Sequence, residues 1–155
     1  MSITLPTSIT GGAQTGFTSP TYTLAADQAP TLFGKQMAVT AAGGTQAGVT
    51  VHSPSSPFTL TWIRPKGFKT FPILAVANAL LKNVPLNTHR ILVRKGTTPA
   101  AGQPPAVSSV DCRFNVAAGA DTYDSPNVRA MVSLLAGFIT ASPAAIGDTL
   151  VTGIT

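Results

Sequence analysis

One stretch near the C-terminus constrains the whole chain. In Ser125-Pro126-Asn127-Val128-Arg129-Ala130-Met131-Val132-Ser133-Leu134-Leu135-Ala136-Gly137-Phe138-Ile139, the residues Val128, Met131, Val132, Leu135, Phe138 and Ile139 recur at three- and four-residue steps. That spacing is the stripe of an amphipathic helix. Ser125 is a good N-cap, Pro126 suits a first helical position where no backbone donor is needed, and Asp121 and Asp124 favour the positive end of the dipole. Ser142-Pro143 repeats the signal and predicts a second, shorter helix through about Ile146 or beyond. Everything upstream reads as strand and turn. An α+β fold is therefore expected, whose helices must find an apolar surface to cover.

Three segments alternate in polarity. Phe58, Leu60 and Trp62 would share one face of a strand and Thr59 and Thr61 the other; in the next, Ile91 and Val93 oppose Arg90 and Arg94. In Ser109–Val116, the residues Val110, Cys112, Phe114 and Val116 oppose Ser109, Asp111, Arg113 and Asn115. Such alternation predicts one sheet with a dry side, against which the helices would lie, and a wet side. Tyr22–Leu24, Thr31–Thr40 and Ala47–His52 read as shorter strands, with Gly43-Gly44 a turn between the last two. Residues 1–20 suggest a short hairpin or arm. The prolines and glycines from Gly96 to Pro105 exclude regular structure, and Phe71–Leu81 is compatible with strand or helix.

At 155 residues the chain is read as one domain, 1–155. Residues 1–56 form the N-terminal hairpin and first strands, 57–120 the central strands with a loop at 96–106, and 124–155 the C-terminal helices and tail. Only 10% of residues are charged, against roughly 25% in ordinary soluble domains. A surface so poor in charge implies coverage by other subunits. Ten Lys and Arg against five acidic residues, all Asp, give +5 and favour a polyanionic partner. Eight of the ten cations fall between Arg64 and Arg113. Cys112, the single cysteine, allows no intramolecular disulfide and suits a reducing compartment. The start lacks the features of a signal peptide, and the apolar stretches fall short of the roughly 20 residues a membrane helix needs. No membrane span is predicted.

Catalysis finds little support. There is no Glu, His52 and His89 lie in turn-prone or strand-edge contexts, and Cys112 falls on the apolar face, where a buried thiol is the simpler reading. No zinc-ligand spacing exists, and neither Gly11-Gly12 nor Gly43-Gly44 precedes the Lys-Ser/Thr of a phosphate loop. No catalytic residue, metal, cofactor or small-molecule substrate is expected. Arg90, Arg94 and Arg113, with Thr59, Thr61, Ser109 and Asn115 as hydrogen-bonding neighbours, instead form a cationic floor suited to the phosphates and exposed bases of a nucleic acid. Trp62 and Phe114 read as core, so stacking platforms are not evident.

Several segments resemble coat proteins of the single-stranded RNA bacteriophages, the levivirus type. They are Val110-Asp111-Cys112-Arg113-Phe114-Asn115-Val116, Val128-Arg129-Ala130-Met131 followed by Leu134-Leu135, and Ser142-Pro143-Ala144-Ala145-Ile146. Ile91-Leu92-Val93-Arg94-Lys95-Gly96 and Gln103-Pro104 are similar as well, so the likeness spans roughly residues 57 to 155. The resemblance implies an N-terminal hairpin, a five-stranded antiparallel sheet and two C-terminal helices that cross onto a partner. Val128, Met131, Val132, Leu135 and Phe138 would then line an intertwined homodimer whose two sheets join edge to edge. It further implies a non-enzymatic capsid protein, assembled in the bacterial cytoplasm into an icosahedral virion around genomic RNA. In many members an operator hairpin is also bound, repressing replicase translation. The inward set would be Thr59, Thr61, Arg90, Leu92, Arg94, Ser109, Asp111, Arg113 and Asn115, and the loop from Gly96 would surround symmetry axes. Residues 64–88 are longer than the family's usual connection, and Leu92 and Asp111 are poor RNA contacts. The alternative is a small non-capsid β-barrel module that binds nucleic acid, which would need aromatic residues on its wet face.

Overall fold

The computed structural model describes residues 3–72 and 83–154. Six strands form one antiparallel sheet in the order of the chain: β1 Ser8–Thr10, β2 Thr18–Asp27, β3 Gly34–Thr45, β4 Phe58–Ile63, β5 Leu86–Thr97 and β6 Ala106–Ala117. Three helices follow, α1 Ala120–Tyr123, α2 Ser125–Ala141 and α3 Pro143–Thr152. The α+β class is as expected, but the strand count is six rather than five, because the N-terminal hairpin does not stand apart. Ile9 pairs with Tyr22, and that places β1 on the edge of the same sheet. The sheet is an open meander, so the described strands do not close into the barrel of the alternative reading.

Two sequence expectations fail together near Gly43-Gly44. Both glycines lie inside β3, and Ala47–His52 belongs to a connecting loop. The reason is a bulge. Gly44 adopts φ 73°, and a Cβ there would collide with the backbone carbonyls of Thr18 and Ser19, so glycine permits a close approach of β2 where its register shifts between Thr18 and Thr21. The reversal comes later, at Gln46–Val49, where the Val49 N–H donates to the Gln46 carbonyl and Gly48 takes φ 80°. Similarly, Thr31–Phe33 forms a turn rather than the start of β3. Of the Phe71–Leu81 segment, residues 73–81 lie outside the described residues.

The alternating segments form strands as expected. Leu60 pairs with Val93, which pairs with Val110, and Trp62 pairs with Ile91, which pairs with Cys112, so the apolar residues do share one face. At the β1–β4 end of that face Leu24, Met37 and Val39 are buried, with Leu5, Ile9, Tyr22 and Phe58 packed against them. At the β6 end Val110 remains 61% exposed. The chain exposes 10802 Å² in all, whereas a compact monomer of 15.8 kDa is expected to expose roughly 7300 Å².

The helix starts are close to expectation. Asp124 rather than Ser125 is the N-cap of α2, its carboxylate accepting both 2.9 Å hydrogen bonds from the Asn127 side-chain amide. Ser142 caps α3, Pro143 begins it, and Gly153 at φ 71° ends it. The two helices meet at 71°. Gln14 donates to the Pro143 carbonyl at 2.9 Å and Thr15 to Asp148 at 2.8 Å, which ties α3 to the β1–β2 hairpin of its own chain.

Candidate nucleic-acid interface and assembly surfaces

The sheet register gathers the sequence-predicted polar residues on one face. Thr59 pairs with Arg94, which pairs with Ser109; Arg90 pairs with Arg113; and Thr88 pairs with Asn115. Thr61, Leu92 and Asp111 form a further row. Directly opposed residues in antiparallel strands project to the same side. All nine residues of the expected inward set therefore lie on a common face.

On that face the cations are held in two different ways. Arg94 donates through Nε to the Thr59 hydroxyl at 3.2 Å and through Nη2 to Gln36 Oε1 at 3.0 Å. Gln36 Oε1 also accepts from Thr61 at 2.8 Å, and Gln36 Nε2 donates to Asp27 Oδ2 at 2.6 Å and to the Gln28 carbonyl at 3.1 Å. Every polar atom of the Gln36 amide thus has a partner. The hydrogen bond from Gln36, reinforced by the backbone N–H of Gln28, holds the Asp27 carboxyl below its ordinary pKa. Thr59 and Thr61 are 1% and 0% exposed. Their hydroxyls are committed to Arg94 and Gln36, so they serve as a bed beneath Arg94 and offer no open contact surface.

Arg90 and Arg113 are held by one carboxylate. Arg90 Nε donates to Asp111 Oδ1 at 2.6 Å, while Arg113 reaches Oδ2 through Nη2 at 3.0 Å and Nε at 3.1 Å. The hydrogen bond from Arg90, with help from Arg113, lowers the Asp111 pKa. This trio is partly to largely exposed, and it carries one net positive charge where its two arginines alone would carry two. Asn115 accepts from the Thr88 hydroxyl at 2.7 Å, and Ser109 is exposed. Asp27 and Gln36 were missed by the sequence reading. Neither belongs to an alternating basic segment, and only the pairing of Asp27 with Gln36 brings them to Arg94.

The opposite face is apolar. Trp62 lies 5.7 Å from His89 and 6.2 Å from Phe114, ring centroid to centroid, and Phe68 also lies 5.7 Å from His89. Burial lowers the His89 pKa. The second histidine, His52, accepts the Phe58 N–H at Nδ1 and so pins the β3–β4 loop. Cys112 is half-buried opposite Ile91. Among the described residues, no three His, Cys, Asp or Glu side chains gather as metal ligands.

The predicted dimer residues of α2 find only partial cover in their own chain. Val128 and Val132 overlook a cavity of about 510 Å³ above Trp62, Ile91 and Phe114. Val128 and Leu135 are half-buried, Met131, Val132 and Phe138 are exposed, and no residue of α2 or α3 is fully buried. Leu134, Leu150 and Val151 stand more than three-quarters exposed. A helix pair this apolar, with no buried residue, is an incomplete layer. The sheet is incomplete too: β6, twelve residues long, has its outer edge free of strand partners among the described residues.

No family model matches the chain, and no curated protein matches it. Among solved structures, a virus-like particle of bacteriophage ESE020 is 52% identical and superposes with a TM-score of 0.95, covering 99% of this chain and 100% of that one.

Proposed function

The chain belongs to the bacteriophage coat proteins, and we propose that it builds its capsid from homodimers and encloses single-stranded RNA against the arginine-bearing face of the sheet. It is a structural capsid protein, assembling from multiple copies and located in the virion. The observation that carries the finer reading is the unfinished packing around β6 and α2. An exposed, twelve-residue strand edge is a template for another strand. Antiparallel pairing with the same edge of a second copy satisfies it by two-fold symmetry. The partner's apolar face then lies within reach of Met131, Leu135 and Phe138. Each copy's surface in excess of a compact monomer, about 3500 Å², exceeds one partner's share of most obligate interfaces, as expected of a subunit covered by more than one neighbour.

Joining the two sheets also makes the polar faces continuous. Each copy adds +5 to that assembly, and Arg90, Arg94 and Arg113 supply the local donors for phosphates. With no aromatic residue among the polar-face positions of β4, β5 and β6, contact with RNA rests on phosphate attraction and hydrogen bonds. This supports packaging of RNA of the levivirus kind. Translational repression through an operator hairpin would use the same face but needs sequence discrimination that phosphate contacts alone do not supply.

The test is to express the chain alone in bacteria, image the product by electron microscopy and quantify nuclease-protected RNA. Shells carrying RNA are expected. The Arg90→Glu, Arg94→Glu double variant should lose protected RNA while retaining dimer. Equal loss of both would refute the assignment of that face, and a monomeric product from the unaltered chain would refute the dimer.

A further inference from the structure

Resting on the reading that the polar face holds RNA, we propose that Asp111 is a built-in competitor for RNA phosphate. It holds Arg90 and Arg113 in readiness and gives them up only to a ligand that replaces its carboxylate, while Arg94 is the standing anchor. The three arginines are held unequally. Arg94 is gripped by two neutral groups, the Thr59 hydroxyl and the Gln36 amide oxygen. Its direct partners are neutral, and the Asp27 carboxylate acts on it only weakly from beyond Gln36, so its charge is less offset than that of Arg90 or Arg113 while its guanidinium is held in place. Arg90 and Arg113 are gripped by a charged group of opposite sign, which accepts three hydrogen bonds from them at 2.6 to 3.1 Å. A phosphate that approaches either guanidinium competes with a carboxylate already hydrogen-bonded to both.

Geometry makes the exchange feasible. The side chains of Arg90, Asp111 and Arg113 are 35%, 27% and 62% exposed, so the trio opens without disturbing the buried threonine row beside it. Asp111 and Arg113 lie on β6, the strand with the free edge, and in the proposed dimer the trios of two copies would border the junction of the sheets. The trio therefore recognises closely spaced phosphates of a folded or crossing RNA backbone, which can take both arginines at once. An isolated phosphate gains little from displacing the carboxylate. Asp111, a poor RNA contact by composition, thus acts as a positioning residue that sets selectivity between compact and sparse phosphate arrays.

The test measures binding of a short unstructured RNA and of a hairpin of equal length to dimers of the unaltered chain and of Asp111→Asn, across a salt series. Asp111→Asn is expected to bind the unstructured RNA about threefold more tightly. Its log affinity should fall more steeply with log salt by about 0.7 for each phosphate newly engaged. The hairpin's advantage should shrink. Asp111→Ala, which cannot accept a replacement hydrogen bond from either guanidinium, should move in the same direction. Unchanged or weaker binding with an unchanged salt slope, in variants that still form dimers, overturns the proposal. If Arg94→Ala and Arg90→Ala also leave binding unchanged, the assignment of the RNA face itself falls.

Discussion

Arg94 of β5 and Gln36 of β3 are joined by a 3.0 Å hydrogen bond that passes over the intervening strand β4. Four strands, β2 to β5, are thereby locked by one side-chain amide, since Gln36 also binds Thr61 of β4 and Asp27 of β2. The polar face is thus built in its central part as a buried network with a single cation at its surface.

Gln36→Leu tests that network. It keeps approximate volume but leaves the fully buried Thr61 hydroxyl and one arm of Arg94 without their acceptor. A loss of about 1–3 kcal/mol in urea unfolding is expected, because an unsatisfied buried hydroxyl bears its full desolvation cost. RNA affinity should fall as well, since the guanidinium is no longer aimed.

Arg94→Lys retains the charge and removes the planar fork that reaches Thr59 and Gln36 together. Weaker RNA binding with little change in salt slope is expected, because the number of neutralised phosphates stays the same while their geometry worsens. A slope that drops with the affinity would mean that charge alone matters at this site.

Leu135→Asp places a charge in the middle of the α2 stripe. In the proposed dimer that charge would be buried without a partner, and soluble dimer should be absent by light scattering. An intact dimer from this variant would show that the helix stripe does not face the neighbour.

Acid should loosen the polar face. The folded-state pKa values of Asp27 and Asp111 are lowered, Asp27 chiefly by its bond to Gln36 and Asp111 chiefly by its bond to Arg90. Their contribution is therefore complete above the ordinary aspartate value of 3.8 and is lost as pH falls below it through the depressed values. Unfolding midpoints measured down that range should decline less steeply in Asp27→Asn, which has already surrendered the ionised acceptor.

Gly44→Ala should destabilise the protein by more than about 1 kcal/mol. The added methyl group meets the Thr18 and Ser19 carbonyls, and φ 73° is costly for any other residue. Gly102→Ala in the β5–β6 loop has the same backbone penalty at φ 75° but open space around it, so the smaller loss there isolates the contribution of the bulge contact.

Local pattern was enough for β4, β5 and β6, because alternation over a half-covered sheet is written in adjacent residues; Ser109 to Asn115 fell on the anticipated side without exception. The start of α2 was legible to within one residue for the same reason, since caps and prolines act on their nearest backbone groups. Gly43-Gly44 was misread because a glycine pair signals close backbone approach as readily as reversal, and only the position of Ser19 on β2 distinguishes the two. The exposure expected of Thr59 and Thr61 was wrong in degree, though not in face. Alternation assigns a side of the sheet but cannot see Arg94 and Gln36 arriving from neighbouring strands.

What the chain determined by itself was its strands, its terminal helices and the partition of polar from apolar residues, all of which follow from interactions between near neighbours in sequence. The tertiary structure decided which polar groups are spent on one another. Gln36 and Arg94 are 58 positions apart, and Arg90 and Asp111 are 21 apart. Such distant groups acquire a distance, and with it a charge balance, only when strand register brings them side by side.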